Sequence, residues 1–282
     1  MRERHIRDGR TANTHRGGRG QHVRPVDRSS LRSDGGNIHL GYWRSDDDDA
    51  TVAEATDTLT DMVADRLALS PGLRVLDIGC GSGKPAVHIA GGREVHVTGV
   101  TISAQQAEVA AARPEVGDGS GQVAFRQADG MDLPFDDGHF DRVYAIESFL
   151  HMSDRAKAIA EATRVLRPGG MLVTANPYQE GELDARGTEI VAANRRLFQI
   201  PPIGDADEYV AHMEKAGLEV VEVLDIGENV RRSHTLAAAA IRQAKETFDD
   251  AFSEQLTEAA DIIERFGDLP QIGYGIIAAR KA

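Results

Sequence analysis

Apolar positions recur along the chain at two spacings. Val52, Ala55, Leu59, Met62, Val63 and Leu67 fall three or four residues apart, which predicts an amphipathic helix over 51–69. After Ser70-Pro71-Gly72, short apolar runs alternate with helical ones. Strands are predicted at Arg74–Gly79, Glu94–Val100, Gln122–Gln127, Asp141–Ile146 and Met171–Ala175. Helices are predicted at Lys84–Ala90, Ser103–Ala112 and Arg155–Leu166, the last closed by Arg167-Pro168-Gly169-Gly170. Such alternation implies βαβ units, a parallel sheet and right-handed crossovers.

The second half is less regular. Residues 177–204 read as an insertion with Pro177, Pro201 and Pro202. A helix at Ala206–Ala216 and a strand at Glu219–Leu224 follow, then a helical stretch over 233–266 and a last strand at Ile272–Ala278. The segments 177–204 and 233–266 are placed to form a helical lid. Phe198, Ile200, Phe248, Phe252 and Phe266 would be its apolar roof, or would simply pack the helices together.

Composition narrows the classes. The chain has 282 residues, 41% hydrophobic and 27% charged, which are ordinary globular values. No apolar run reaches the ~18 residues a membrane span needs. Cys80 is the single cysteine, so an intramolecular disulfide and a Cys-rich zinc site are excluded. The absence of an apolar signal core leads us to expect a cytoplasmic location. Net charge is −13 but uneven: residues 1–36 carry nine arginines and four acids, which leaves −18 on the rest. Residues 1–36 have few large apolar side chains and no period, so a disordered basic arm is expected. An acidic body argues against a general nucleic-acid binder, and against a non-enzymatic module that acts through the arm.

The strongest local signal is Val75-Leu76-Asp77-Ile78-Gly79-Cys80-Gly81-Ser82-Gly83. A buried strand ends in a glycine-rich turn and a helix begins at once. Glycines there let the backbone turn sharply and approach a ligand. Asp77 stands two residues before the first glycine. An acid in that place would repel a pyrophosphate and suit a cationic amine.

VLDIGCGSGKP resembles the cofactor loop of class I S-adenosylmethionine-dependent methyltransferases. NIHLGYW, VTGVTIS, ADGMDLPFDDGHFD, AIESFLHM, RVLRPGG and GYGIIAARK extend the resemblance over 37–282. They are most similar to rebeccamycin-type natural-product O-methyltransferases. The resemblance implies a Rossmann-like α/β fold, with a seven-stranded, mostly parallel sheet, helices on both faces and a helical lid. It implies S-adenosyl-L-methionine as cofactor, no metal, and a small natural product as the other partner. Asp77, Gly79, Cys80, Gly81 and Gly83 would hold the methionine part of the cofactor. Thr101, Ser103 and Gln106 would stand by the ribose, where many relatives have an acid. Asp129 and Gly130 would meet the adenine, and His39 would line the pocket beside Tyr42 and Trp43. Each has a simpler structural role open to it: a strand-end cap for Asp77, a helix N-cap for Ser103, a turn for Asp129. Cys80 reads as a small residue in the loop, with a nucleophilic thiol as the alternative.

The catalytic turn, Glu147-Ser148-Phe149-Leu150-His151-Met152, departs from the subgroup. The pattern has two adjacent histidines, and here Leu150 takes the first place. The aspartate expected at the end of the fifth strand is Asn176. Methylating a hydroxyl needs a base beside it. His151 is the candidate base, with Glu147 beside it and Asn176 orienting the acceptor. His151 and Glu147 also have structural readings. The resemblance implies methyl transfer to a hydroxyl of a polyketide or glycoside. Its alternative is a ring closure of the spinosyn type, with the cofactor structural, which the less basic site would suit.

Overall fold

The computed structural model describes residues 36–113, 121–244 and 250–282. The arm over 1–36 therefore lies outside the described residues, apart from Gly36. The first helix, α1 (Val52–Arg66), begins with a reciprocal cap: Thr51 accepts from the Glu54 amide and Glu54 accepts from the Thr51 amide. Next come β1 (Arg74–Ile78), α2 (Lys84–Arg93), β2 (His96–Thr101), α3 (Ala104–Ala111), β3 (Gln122–Gln127) and β4 (Phe140–Ile146). A short 3-10 turn, Phe149–His151, leads to α4 (Arg155–Val165) and β5 (Leu166–Gln179). The chain continues through α5 (Ala185–Phe198), α6 (Ala206–Lys215), β6 (Leu218–Asp225), α7 (Gly227–Val230), α8 (Arg232–Ala244) and α9 (Asp250–Gly267) to β7 (Ile272–Lys281).

The seven strands form one sheet in the order β3-β2-β1-β4-β5-β7-β6. The first five pair in parallel, and β7 runs antiparallel between β5 and β6. The five parallel strands are what the alternation predicts, and the Rossmann-like, seven-stranded, mostly parallel sheet is what the resemblance implies. Two apolar clusters fill its faces. One joins Leu59 and Val63 of α1 and Ile89 of α2 to Val75, Val173 and Ile276. The other joins Ile159 and Ala162 of α4 and Met213 of α6 to Leu76, Val143 and Leu172. Residues i and i+1 of each strand serve opposite faces, as a two-residue period requires. Strand order reverses between β1 and β4, so a crevice opens there beyond the carboxyl ends of the strands.

Three expectations change. The α2 helix runs through Gly91 and Gly92 to Arg93, and Glu94 caps it at φ 54° instead of starting β2. Glycine lowers helix propensity without forbidding the conformation. The insertion over 177–204 contains a 14-residue helix, α5, whose buried face is Gly187, Ile190, Val191 and Asn194. The stretch over 233–266 is two helices, α8 and α9, packed through Ala238, Ile241, Leu256, Ala260 and Ile263. Phe248 lies outside the described residues. Among the described residues no helix is long and apolar enough to cross a membrane.

Candidate functional site

The turn after β1 is built by three glycines in the left-handed region: Gly79 at φ 79°, Gly81 at 52° and Gly83 at 80°. The amides of Gly79 and Cys80 both donate to the Val100 carbonyl, at 2.8 and 2.9 Å, which ties the turn to β2. A Cβ on Gly79 would stand 2.3 Å from that of Ser148, so this glycine lets the β1 and β4 turns meet. Gly83 does something else. It is the N-cap of α2, and a Cβ there would strike the Phe125 ring at 2.6 Å. It does not line the cavity described next, so its role is to seat α2 rather than to touch a ligand.

That cavity, about 430 Å³, lies over the carboxyl ends of β1, β2 and β4. Asp77, Gly79, Cys80, Gly81, Thr101, Ser103, Gln106, Asp129, Gly130 and His39 all line it. Eleven cofactor residues are expected from the sequence, and all but Gly83 come together here. Asp77 is buried, and its Oδ2 has no hydrogen-bond partner among the described residues. Burial pushes its carboxyl up to about 7, against the pull of the Tyr144 hydroxyl from the neighbouring strand. A cationic amine would satisfy that oxygen and restore the charged carboxylate. The cavity therefore fits the methyl donor implied by the resemblance, which carries such an amine.

The other polar groups serve both fold and pocket. Ser103 caps α3, accepting from the Gln106 amide at 3.2 Å. Thr101 Oγ1 donates to Gln106 Oε1 at 2.8 Å, holding that side chain on the wall. Asp129 Oδ1 accepts from the Met131 amide at 2.8 Å, the turn role foreseen for it. Burial raises the Cys80 thiol well above its ordinary value, which removes the reason to think it nucleophilic.

A second cavity of about 360 Å³ adjoins the first, and Ile38, His39, Glu147 and Phe198 line both. Its roof is apolar: Phe198 and Ile200 come from the α5 region, Leu236, Ala237 and Ile241 from α8, and Ile263 and Phe266 from α9. The two segments expected to form a lid thus meet over one space. Phe252 does not take part, being 40% exposed and off the lining.

Glu147 stands at φ 47°, a strained backbone for a non-glycine residue. Its Oε1 accepts from the Leu40 amide at 2.7 Å and from the Tyr274 hydroxyl at 3.2 Å. His39 is buried, with Nδ1 at 2.8 Å from the Leu40 carbonyl and Nε2 at 3.2 Å from Thr60 Oγ1. A carbonyl only accepts, so Nδ1 carries the proton. Burial holds this imidazole below its ordinary value, against the pull of Glu147.

The turn after β4 divides between the cavities. His151 lines the first and is exposed; Leu150 lines the second and is buried. Asn176 departs from the role expected of it. It is buried, donates to Thr174 Oγ1 and lines neither cavity. Side chains alternate along β5, so Asn176 shares the face of Thr174, while Pro177 turns toward the second cavity. Sequence reasoning missed Tyr274, which reaches Glu147 from β7, and Asn194, which reaches the second cavity from α5. The α5 stripe was visible at helical spacing, whereas nothing local marks Tyr274.

Comparison with known proteins adds a family. Residues 76–174 match the family described as a methyltransferase domain. The 27-O-demethylrifamycin SV methyltransferase of Amycolatopsis mediterranei is 40% identical over 88% of this chain and 90% of its own. The O-methyltransferase rstn1 of Aspergillus nomiae is 44% identical over 68% of this chain and 84% of its own. Among solved structures, the 4+2 cyclase SpnF is similar at a TM-score of 0.76 and 30% identity, covering 90% of each chain.

Proposed function

The chain belongs to the class I S-adenosylmethionine-dependent methyltransferase family, and on that premise we propose that it methylates a hydroxyl of a polyketide or glycoside natural product. One observation carries the reading: an apolar cavity under the lid opens onto the Asp77 cavity at Ile38, His39, Glu147 and Phe198. Residues 37–282 form the methyltransferase domain in this reading, with 177–204 and 233–266 as its lid.

Asp77 and the Gly79–Gly81 turn would hold the methionine end of S-adenosylmethionine, with Ser103 and Gln106 at the ribose and Asp129 and Gly130 at the adenine. Bound there, it supplies an electrophilic methyl on a sulfonium cation. The protein's main contribution is orientation, because a displacement of this kind is accelerated by fixing two reactants in line. The lid and the strap over 37–43, whose Ile38 and His39 line both cavities, exclude water around the acceptor. His151 accepts the hydroxyl proton, a task for which imidazole is the ordinary choice near neutral pH. Glu147, held by Leu40 and Tyr274, fixes the wall between the two cavities. Asn176 takes no part.

Ring closure is the second reading, and Leu150 favours it by putting an apolar group on the acceptor wall. The names of the curated relatives favour methyl transfer. Purified protein incubated with S-adenosylmethionine and extract of the producing organism separates them. Methyl transfer releases S-adenosylhomocysteine only when extract is present. Conversion of an extract component without that release would favour ring closure.

A further inference from the structure

The buried stripe of α5 reads Gly187, Ile190, Val191 and Asn194, and continues to Phe198. An amide therefore stands where helical spacing calls for an apolar residue. Asn194 is 4% exposed and lines the second cavity; its side chain makes no hydrogen bond among the described residues, and its amide is open to that cavity, not sealed in the packing. Three other polar groups on that wall are engaged. Thr56 Oγ1 accepts from Asn37 at 2.8 Å, Ser233 Oγ accepts from the Gly41 amide at 2.8 Å, and Glu147 accepts from Leu40 and Tyr274. An amide facing an apolar cavity is satisfied only by what fills that cavity, and asparagine is a poor helix former. Nothing in the packing of α5 calls for it.

We infer that Asn194 reads a second oxygen function of the acceptor, a carbonyl or hydroxyl carried on an otherwise apolar skeleton. The inference rests on the reading of this cavity as the acceptor site. An amide offers both a donor and an acceptor, so either group satisfies it. Asn194 precedes Phe198 by one helical turn, and Phe198 borders both cavities. The backbone of Asn194 thus stands about 6 Å along α5 from that of Phe198, which sets the second oxygen away from the border where the methylated hydroxyl would sit. The site would reject a hydrocarbon analogue because the amide would then stay unpaired.

The test uses cyclododecanone and cyclododecane as probes, in equilibrium dialysis against the full chain with S-adenosylhomocysteine present. Wild type should bind the ketone about tenfold more tightly than the hydrocarbon. Asn194→Leu should bind both alike, because the polar partner of the ketone is gone. Asn194→Ala only removes atoms and guards against a leucine that does not fit; it too should lose the preference. A wild type without preference, or variants that keep it, would overturn the inference. Failure of the methyl-transfer reading looks different: no S-adenosylhomocysteine is released while the ketone preference persists.

Discussion

Glu147 Oε1 accepts from the Leu40 amide at 2.7 Å across 107 residues of sequence. The end of β4 is thereby tied to the strap over 37–43, and the strap is tied in turn to α8 through Gly41 and Ser233. Trp43 extends the link: its amide donates to the Asn229 carbonyl at 3.0 Å, and Arg232 lies over its ring at 5.3 Å. The wall between the two cavities is held from both sides by groups far apart in the chain.

Glu147→Ala should leave the Leu40 amide and the Tyr274 hydroxyl without this acceptor and destabilise the fold by about 2 kcal/mol. Glu147→Gln keeps an acceptor oxygen and should cost less than about 1 kcal/mol. Urea unfolding of the two variants checks the difference. Equal losses would mean that the charge, not the acceptor, holds the strap.

Asp77 sets a pH dependence whose sign is fixed. The folded protein keeps the Asp77 proton up to about 7. The unfolded chain releases it near the ordinary aspartate value of ~4. Between those values the folded state binds more protons, so stability falls as pH rises, by on the order of 4 kcal/mol. Below that window the penalty is absent, and above it the penalty is complete. Melting curves of the ligand-free protein should therefore fall from pH 5 to 8 more steeply than those of Asp77→Asn. Asp77→Asn should also bind S-adenosylhomocysteine at least tenfold more weakly, read by calorimetry.

His151 is exposed, so His151→Ala should leave the melting temperature within about 1 °C. Methyl transfer should fall by about 10²–10⁴-fold. Unchanged turnover would remove His151 from the proton path.

Gly83→Ala and Gly79→Ala should fail differently. The first puts a Cβ into the Phe125 ring at φ 80° and should cost about 2–4 kcal/mol of stability. The second drives the β1 turn into Ser148, so its larger effect should be on S-adenosylhomocysteine affinity. Denaturant unfolding and calorimetry on both variants separate the two losses.

The helices over the second cavity give a graded series. Phe198→Ala should weaken cofactor and acceptor together, because Phe198 lines both cavities. Phe266→Ala should weaken the acceptor alone, and Phe252→Ala neither. Steady-state KM values for donor and acceptor read the pattern. An effect of Phe252→Ala on the acceptor would place the roof elsewhere.

What the sequence disclosed followed from local rules. A glycine-rich turn between an apolar strand and a helix opens a cavity beyond the strand, so the placement of Asp77, Gly79 and Gly81 on it was legible. Ser103 was legible as cap and pocket residue together, since the two roles use one position. Asn176 was misplaced by one step of strand alternation, which sequence similarity to a pattern does not resolve. Phe252 was misplaced because α9 has an outer face as well as an inner one. Tyr274 was invisible because its bond to Glu147 spans 127 residues and depends on β7 inserting beside β5.

The central claim is that the two adjoining cavities join a methyl donor to a hydroxyl. Its most direct test is incubation with trideuteriomethyl-labelled S-adenosylmethionine and extract of the producing organism, followed by mass spectrometry. The account expects a product carrying the intact labelled methyl on oxygen, with one S-adenosylhomocysteine formed for each product molecule. An unlabelled isomer of the substrate, formed while the donor stays intact, would contradict it.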